Sequence, residues 1–132
     1  MAMLRSILLW LLVSLGLARR PDFTVMIVRD HPDDGAMKPG RVFIVTSGGH
    51  MKWAYFLCPA DPTEVIQLSL MTSRRPHWRL TRDWAGRPTI HPSVLQTAGS
   101  HAHFWIRGGV VEWCEDTGKS AAHPDSKMPP RP

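Results

Sequence analysis

The feature that most constrains how this chain can fold is a pair of adjacent glycines, Gly108 and Gly109, set between two runs of aromatic and β-branched residues, His103 to Arg107 and Val110 to Cys114. A two-residue glycine loop between such runs predicts a β-hairpin with a primed turn, because glycine adopts the positive φ which that turn demands. The turn sets the register: Arg107 faces Val110, Ile106 faces Val111, Trp105 faces Glu112, Phe104 faces Trp113 and His103 faces Cys114. Alternation then sorts the side chains. Ala102, Phe104, Ile106, Val111 and Trp113 form an apolar face expected on the core, while His101, His103, Trp105, Glu112, Cys114 and Asp116 share the other. An imidazole and a thiol become cross-strand neighbours, about 5 Å apart at Cβ. Ordinary packing also produces such a pair, since Cys is more often a small hydrophobe than a ligand.

After residue 20 helical periodicity is nearly absent, and twelve Pro and nine of the ten Gly fall in that part of the chain, punctuating short strands. The expected fold is therefore mostly β: a small antiparallel sheet or zinc-ribbon-like domain over residues 21–116. An apolar N-terminal helix over 1–20 precedes it. A disordered tail over 117–132 follows, because Gly, Ser, Ala, Pro and Lys there cannot bury enough surface to order themselves. Within 132 residues such a domain has room for a modest core.

The N-terminal run Ile7 to Leu17, with a basic start and small residues at Gly16 and Ala18, has the form of a secretory signal cleaved near Ala18. Arg19 and Arg20 directly after it oppose translocation. The run is too short for a comfortable transmembrane helix. The expectation is a cytoplasmic protein whose residues 4–17 stay attached and rest on a membrane surface or on the domain; export after cleavage is the alternative.

Strands are expected at Phe23 to Val28, Arg41 to Thr46, Lys52 to Cys58 and Glu64 to Leu70, with a polar loop from Arg29 to Gly40 in which Asp33 and Asp34 read as solvated turn residues. Cys58 ends its strand at a loop, where metal-binding knuckles are commonly placed. The stretch Met71 to Arg87 carries Arg74, Arg75, Arg79, Arg82 and Arg87 against one acid, Asp83, and interleaves Trp78 and Trp84 with them. Arginines beside stacking aromatics suit single-stranded nucleic acid, and they equally describe an edge strand whose Arg stems cover Trp faces. A formal net charge of +5 favours acidic partners in general. Asp83 to Arg87 reads as the turn of another hairpin. Gly118-Lys119-Ser120 is not a phosphate loop, because Trp113 stands where its first glycine belongs. No Gly-x-Ser-x-Gly, His-Glu-x-x-His or Cys-x-x-Cys pattern occurs.

Pro39-Gly40, Lys52-Trp53, Phe56 with Cys58-Pro59, Trp78, Thr89 with Pro92-Ser93, His103 to Ile106, and the return strand Gly109 to Trp113 together resemble a bacterial family of small zinc-binding-like β proteins. Some members are encoded beside ubiquitin-activating-like and ubiquitin-conjugating-like genes. The resemblance covers residues 38–114. Where that family has Cys-Pro-Cys-Gly-Cys, this chain has Cys58-Pro59-Ala60-Asp61-Pro62. Where the family enters the hairpin by Cys-x-Ser-His-Phe, this chain has Ser100-His101-Ala102-His103-Phe104. It therefore looks like a degenerate member. The resemblance implies zinc held by Cys58, His103 and Cys114, with His101 as a compensating fourth ligand, in a site weakened by the lost thiols.

The functional expectation is a non-enzymatic binding or adaptor domain with protein partners from a bacterial ubiquitin-like modification system and a residual zinc site. A second reading is weak nucleic-acid binding by Arg74, Arg75, Trp78, Arg79, Arg82 and Trp84. A third is a zinc or thiol enzyme with Cys58 or Cys114 as nucleophile beside His103, for which the sequence offers no identifiable orienting acid.

Overall fold

The computed structural model describes residues 2–15 and 21–118; the cleavage position after Ala18 and the tail beyond Gly118 lie outside the described residues. A helix, α1 (Ala2–Ser14), is followed by eight strands among the described residues: β1 (Thr24–Val28), β2 (Arg41–Ser47), β3 (His50–Leu57), β4 (Val65–Ser69), β5 (Arg79–Arg82), β6 (Pro88–Leu95), β7 (His103–Arg107) and β8 (Val110–Trp113). The mostly β expectation holds. The strands form two four-stranded sheets, ordered β1-β2-β3-β4 and β5-β6-β7-β8. Every pair is antiparallel except β1 with β2, which run parallel. The long polar loop over 29–40 explains the exception, since a parallel pair needs a crossover of about a dozen residues.

The two sheets share one core. Val42, Ile44, Ala54, Phe56, Ile66 and Leu68 from the first pack with Leu80, Ile90, Val94, Phe104 and Ile106 from the second in a single buried cluster. Phe56 is its pivot, with edge-on contacts to Phe23 at 5.3 Å and Phe104 at 6.4 Å between ring centroids. Trp53, Tyr55 and Leu57 alternate with Ala54 and Phe56 along β3, and only the second set is fully interior, which makes β3 a central strand with one face on the core.

The β7–β8 pair has the register the two glycines impose, with Phe104 opposite Trp113 and Arg107 opposite Val110. Gly108 and Gly109 both have positive φ, at 56° and 77°. Gly109 is needed twice over, because a Cβ there would meet the Phe23 carbonyl oxygen at 2.9 Å. That close approach lets the Gly109 carbonyl accept from the N–H groups of both Asp22 and Phe23, tying the hairpin tip to the entry of β1.

Three expectations need correction. Trp113 is not a core residue: it lies at the rim, 36% exposed, with its ring edge-on to Phe104. β8 ends there, where Trp113 borders an open cleft with Leu57, Cys58 and Pro59. His101 is not on the hairpin ladder: β7 begins at His103, and His101 occupies a left-handed turn at φ 52°. The ordered domain does not stop at Asp116. Thr117 is buried, its hydroxyl oxygen accepting from the His103 N–H at 2.9 Å, and the Gly118 N–H donates to the His101 carbonyl at 2.8 Å. Composition placed Thr117 in the tail because local sequence does not register a partner fourteen residues back.

The helix α1 displays Met3, Leu4, Ile7, Leu8, Trp10 and Leu11 to solvent and touches the domain through the Arg5 guanidinium, which donates to the Trp84 carbonyl at 3.2 Å. Among the described residues no helix is long and apolar enough to cross a membrane.

Candidate active site

The site is built on β6, β7 and the turn after β8. Between the pairs Ile90–Ile106 and Val94–Phe104 the ladder slips: His91, Pro92 and Ser93 on β6 stand against Trp105 alone on β7. Two residues are therefore extra, and the bulge bends the strand at Ser93. From the Val94–Phe104 and Leu95–His103 pairs onward, alternation puts Ser93 on the face away from the core and diagonal to His103. The half-buried indole of Trp78 holds the bulge from the other side, its Nε1–H donating to the Ser93 carbonyl at 3.2 Å.

His103 stands on that same outer face, between the buried Ala102 and Phe104. Its Nε2 lies 2.9 Å from Ser93 Oγ, and its Nδ1 lies 2.6 Å from Asp116 Oδ1. A carboxylate only accepts, so Nδ1 carries the proton and Nε2 is left free to accept from the Ser93 hydroxyl. The backbone around the imidazole is pinned: the His103 N–H donates to Thr117, and its carbonyl accepts from the Cys114 N–H at 2.9 Å. The turn from Glu115 to Gly118 closes on itself through the Thr117 N–H and the Cys114 carbonyl, and so presents Asp116 to the ring.

Cys114 completes the neighbourhood. One donor atom each from His103, Cys114 and Asp116 lies within 4.8 Å of the others. Burial raises the Cys114 thiol above its ordinary value, the Asp116 charge raises it further, and Arg107 pulls weakly the other way. The sulfur is thus kept as a thiol, the poor form for a nucleophile.

The other sequence-predicted ligands are elsewhere. Cys58 is 1% exposed, within the core cluster. Its Sγ lies 3.7 Å from Ser100 Oγ. Ser100 Oγ donates onward to Glu64, so the thiol is the donor to Ser100. Cys58 and His101 are outside the group that His103, Cys114 and Asp116 form. The nucleic-acid set is also differently employed. Arg74 lies over the Trp53 ring at 5.1 Å, and Trp78 is half-buried with its N–H committed to Ser93, so it is not a free stacking platform. Arg79 pairs with His91, two residues before Ser93. Arg75 and Arg82 are exposed, and Trp84 is 60% exposed.

Sequence reasoning missed Ser93 and did not give Asp116 its role. Pro92-Ser93 stood among the motif residues, but the slip that turns Ser93 toward His103 is a tertiary feature of the β6–β7 ladder.

A hydroxyl on one imidazole nitrogen and a carboxylate on the other is the constellation of the serine hydrolases, recognised by geometry whatever the chain order. Here the order is Ser, His, Asp within residues 93–116. Residues 27–114 match the family described as bacterial ubiquitination-like system serine protease (BubE), and the chain belongs to that family. The match contains Ser93 and His103 and ends two residues before Asp116. The protein is thereby associated with a bacterial ubiquitination-like system. No curated protein and no solved structure matches the chain.

Proposed function

We propose that the protein is a serine protease of that ubiquitination-like system, cleaving acyl linkages on its ubiquitin-like protein or on the conjugates that protein forms. This replaces the non-enzymatic adaptor expected from sequence. The observation that carries the reading is the Ser93–His103–Asp116 chain of hydrogen bonds at 2.9 and 2.6 Å. In this mechanism Ser93 Oγ attacks the scissile carbonyl as His103 Nε2 takes its proton, Asp116 stabilises the imidazolium, and the imidazolium then protonates the leaving amine. Water attacks the acyl-enzyme by the same route in reverse. The cleft bordered by Trp78, Arg79, His91 and Pro92 reaches the residue before Ser93 and is suited to hold the substrate chain on one side of the bond.

The test is intact-mass analysis after treatment with a fluorophosphonate. The expected result is one adduct, mapped to Ser93, absent in Ser93→Ala and strongly slowed in His103→Ala. No adduct on a folded wild-type protein, or an adduct that persists in Ser93→Ala, refutes the assignment.

A further inference from the structure

We propose that His103, Cys114 and Asp116 form a zinc site whose occupation switches the Ser93–His103 pair off. The switching half rests on the reading of His103 as the general base; the binding half does not. The donor set is one imidazole nitrogen, one thiol sulfur and one carboxylate oxygen, all within 4.8 Å. Nitrogen and sulfur together suit zinc and disfavour magnesium or calcium, which take oxygen donors. A tetrahedral zinc with bonds of about 2.0–2.3 Å sets neighbouring donors roughly 3.5 Å apart. The Nδ1 to Oδ1 separation of 2.6 Å is shorter than that, so the carboxylate must draw back by about 1 Å and the thiol turn inward. Both movements are side-chain rotations. Asp116 has a side chain 57% exposed on a turn, Cys114 follows the last residue of β8, and the backbone linking both to His103 is held by hydrogen bonds. Water fills the fourth position.

The chemistry of occupation follows from the protons. Zinc takes the lone pair of Nδ1, the nitrogen that otherwise carries the hydrogen given to Asp116. The neutral ring keeps its one proton, now on Nε2, and Cys114 releases its proton to solvent on becoming a thiolate. Thiolate and carboxylate together neutralise the ion's two charges. With a proton on Nε2, His103 donates to Ser93 Oγ instead of accepting from it, and the hydroxyl loses its base. The site is therefore open to a protease or to a metal, never both, because the two uses need opposite tautomers of one imidazole.

The experiment titrates zinc chloride by calorimetry into the full chain as wild type, Ser93→Ala and Cys114→Ser, and in parallel measures the fluorophosphonate labelling rate with and without zinc. The expected result is one equivalent of zinc in wild type and Ser93→Ala, and an affinity at least tenfold weaker in Cys114→Ser. Zinc should slow wild-type labelling at least tenfold, while in Cys114→Ser the ratio of labelling rates with and without zinc should stay near one. Cobalt in place of zinc should give a thiolate charge-transfer band that Cys114→Ser lacks. Equal zinc affinity in wild type and Cys114→Ser overturns the site. Binding through Cys114 with undiminished labelling overturns the switch. A wild-type protein that binds zinc through Cys114 yet never labels refutes the protease reading while upholding the metal site.

Discussion

Replacing Asp116 by Asn tests the weakest member of the constellation. When His103 takes the Ser93 proton it becomes an imidazolium beside the Asp116 carboxylate. Two unit charges about 4 Å apart attract by roughly 1 kcal/mol in water and roughly 4 kcal/mol at the effective dielectric of a protein surface. The Asp116 side chain is 57% exposed, against 21% for His103, so the stabilisation falls between those limits. At about 1.4 kcal/mol per tenfold in rate, the expected loss in the acylation rate constant is about 5- to 900-fold. A buried triad loses about 10⁴-fold on the same change. The difference comes from the water that competes for an exposed carboxylate, and the Asp116 contribution should shrink further at high salt for the same reason. The assay is stopped-flow acylation by an activated ester, read beside Ser93→Ala as the floor. A loss under twofold would show that Asp116 neither fixes the tautomer nor stabilises the imidazolium, and the site would reduce to a Ser–His pair.

Other consequences are open to direct measurement. Phe104→Ala removes a fully buried ring from the junction of the two sheets and should cost about 3 to 5 kcal/mol in denaturant titration, whereas Trp113→Ala, at the rim, should cost less because it leaves an open groove. Trp78→Phe keeps an aromatic side chain but loses the N–H to the Ser93 carbonyl; a hydrogen bond worth about 1 kcal/mol predicts up to a roughly fivefold fall in acylation rate, and no fall would show that this bond does not position Ser93. Iodoacetamide should modify Cys58 only on unfolding, because it is 1% exposed. Cys114 should react in the folded protein more slowly than a free thiol at pH 8, since its pKa is raised and its thiolate fraction reduced. Its reactivity should climb only as the pH passes above the ordinary thiol range. Fast alkylation of Cys114 at pH 8 would contradict that shift.

What the sequence could show, it showed through local rules. The Gly108-Gly109 loop sets the register of β7 against β8, and with it the adjacency of His103 and Cys114, because a primed turn leaves the flanking strands no choice of alignment. The alternation in β3 likewise separates Phe56 from Tyr55. What stayed hidden depends on slips and returns that carry no local signature. Three residues stand against one between β6 and β7, and nothing in His91-Pro92-Ser93 announces that two of them are surplus. Alternation puts Asp116 on the His103 face, but its contact with the imidazole depends on a turn held by Thr117 and Gly118, which bond back to His103 and His101. Cys58 sits at a strand end, where ligands are common, but the structure uses that strand end to close the core.

Ser93, His103 and Asp116 occupy one short stretch, yet their geometry is held by the whole domain. The segment between Ser93 and His103 is braced by Glu64, whose carboxylate accepts from Gln96 Nε2 at 3.0 Å, the Ser100 N–H at 2.7 Å and Ser100 Oγ at 2.9 Å. Glu64 immediately precedes β4 in the other sheet, so the loop joining Ser93 to His103 is clamped from across the core. The hairpin that carries His103 is clamped a second time at its tip, by the Gly109 carbonyl and by Asp22 Oδ2, which accepts from the Val111 N–H at 2.8 Å. Trp78 holds Ser93 from a third direction. A two-stranded ribbon in isolation is marginally stable and would let the Ser93 to His103 distance wander. The proposed reaction needs Ser93 and His103 to stay within hydrogen-bond reach, and the residues entering the first sheet's strands, Asp22 and Glu64, supply that constraint without contributing a reacting group.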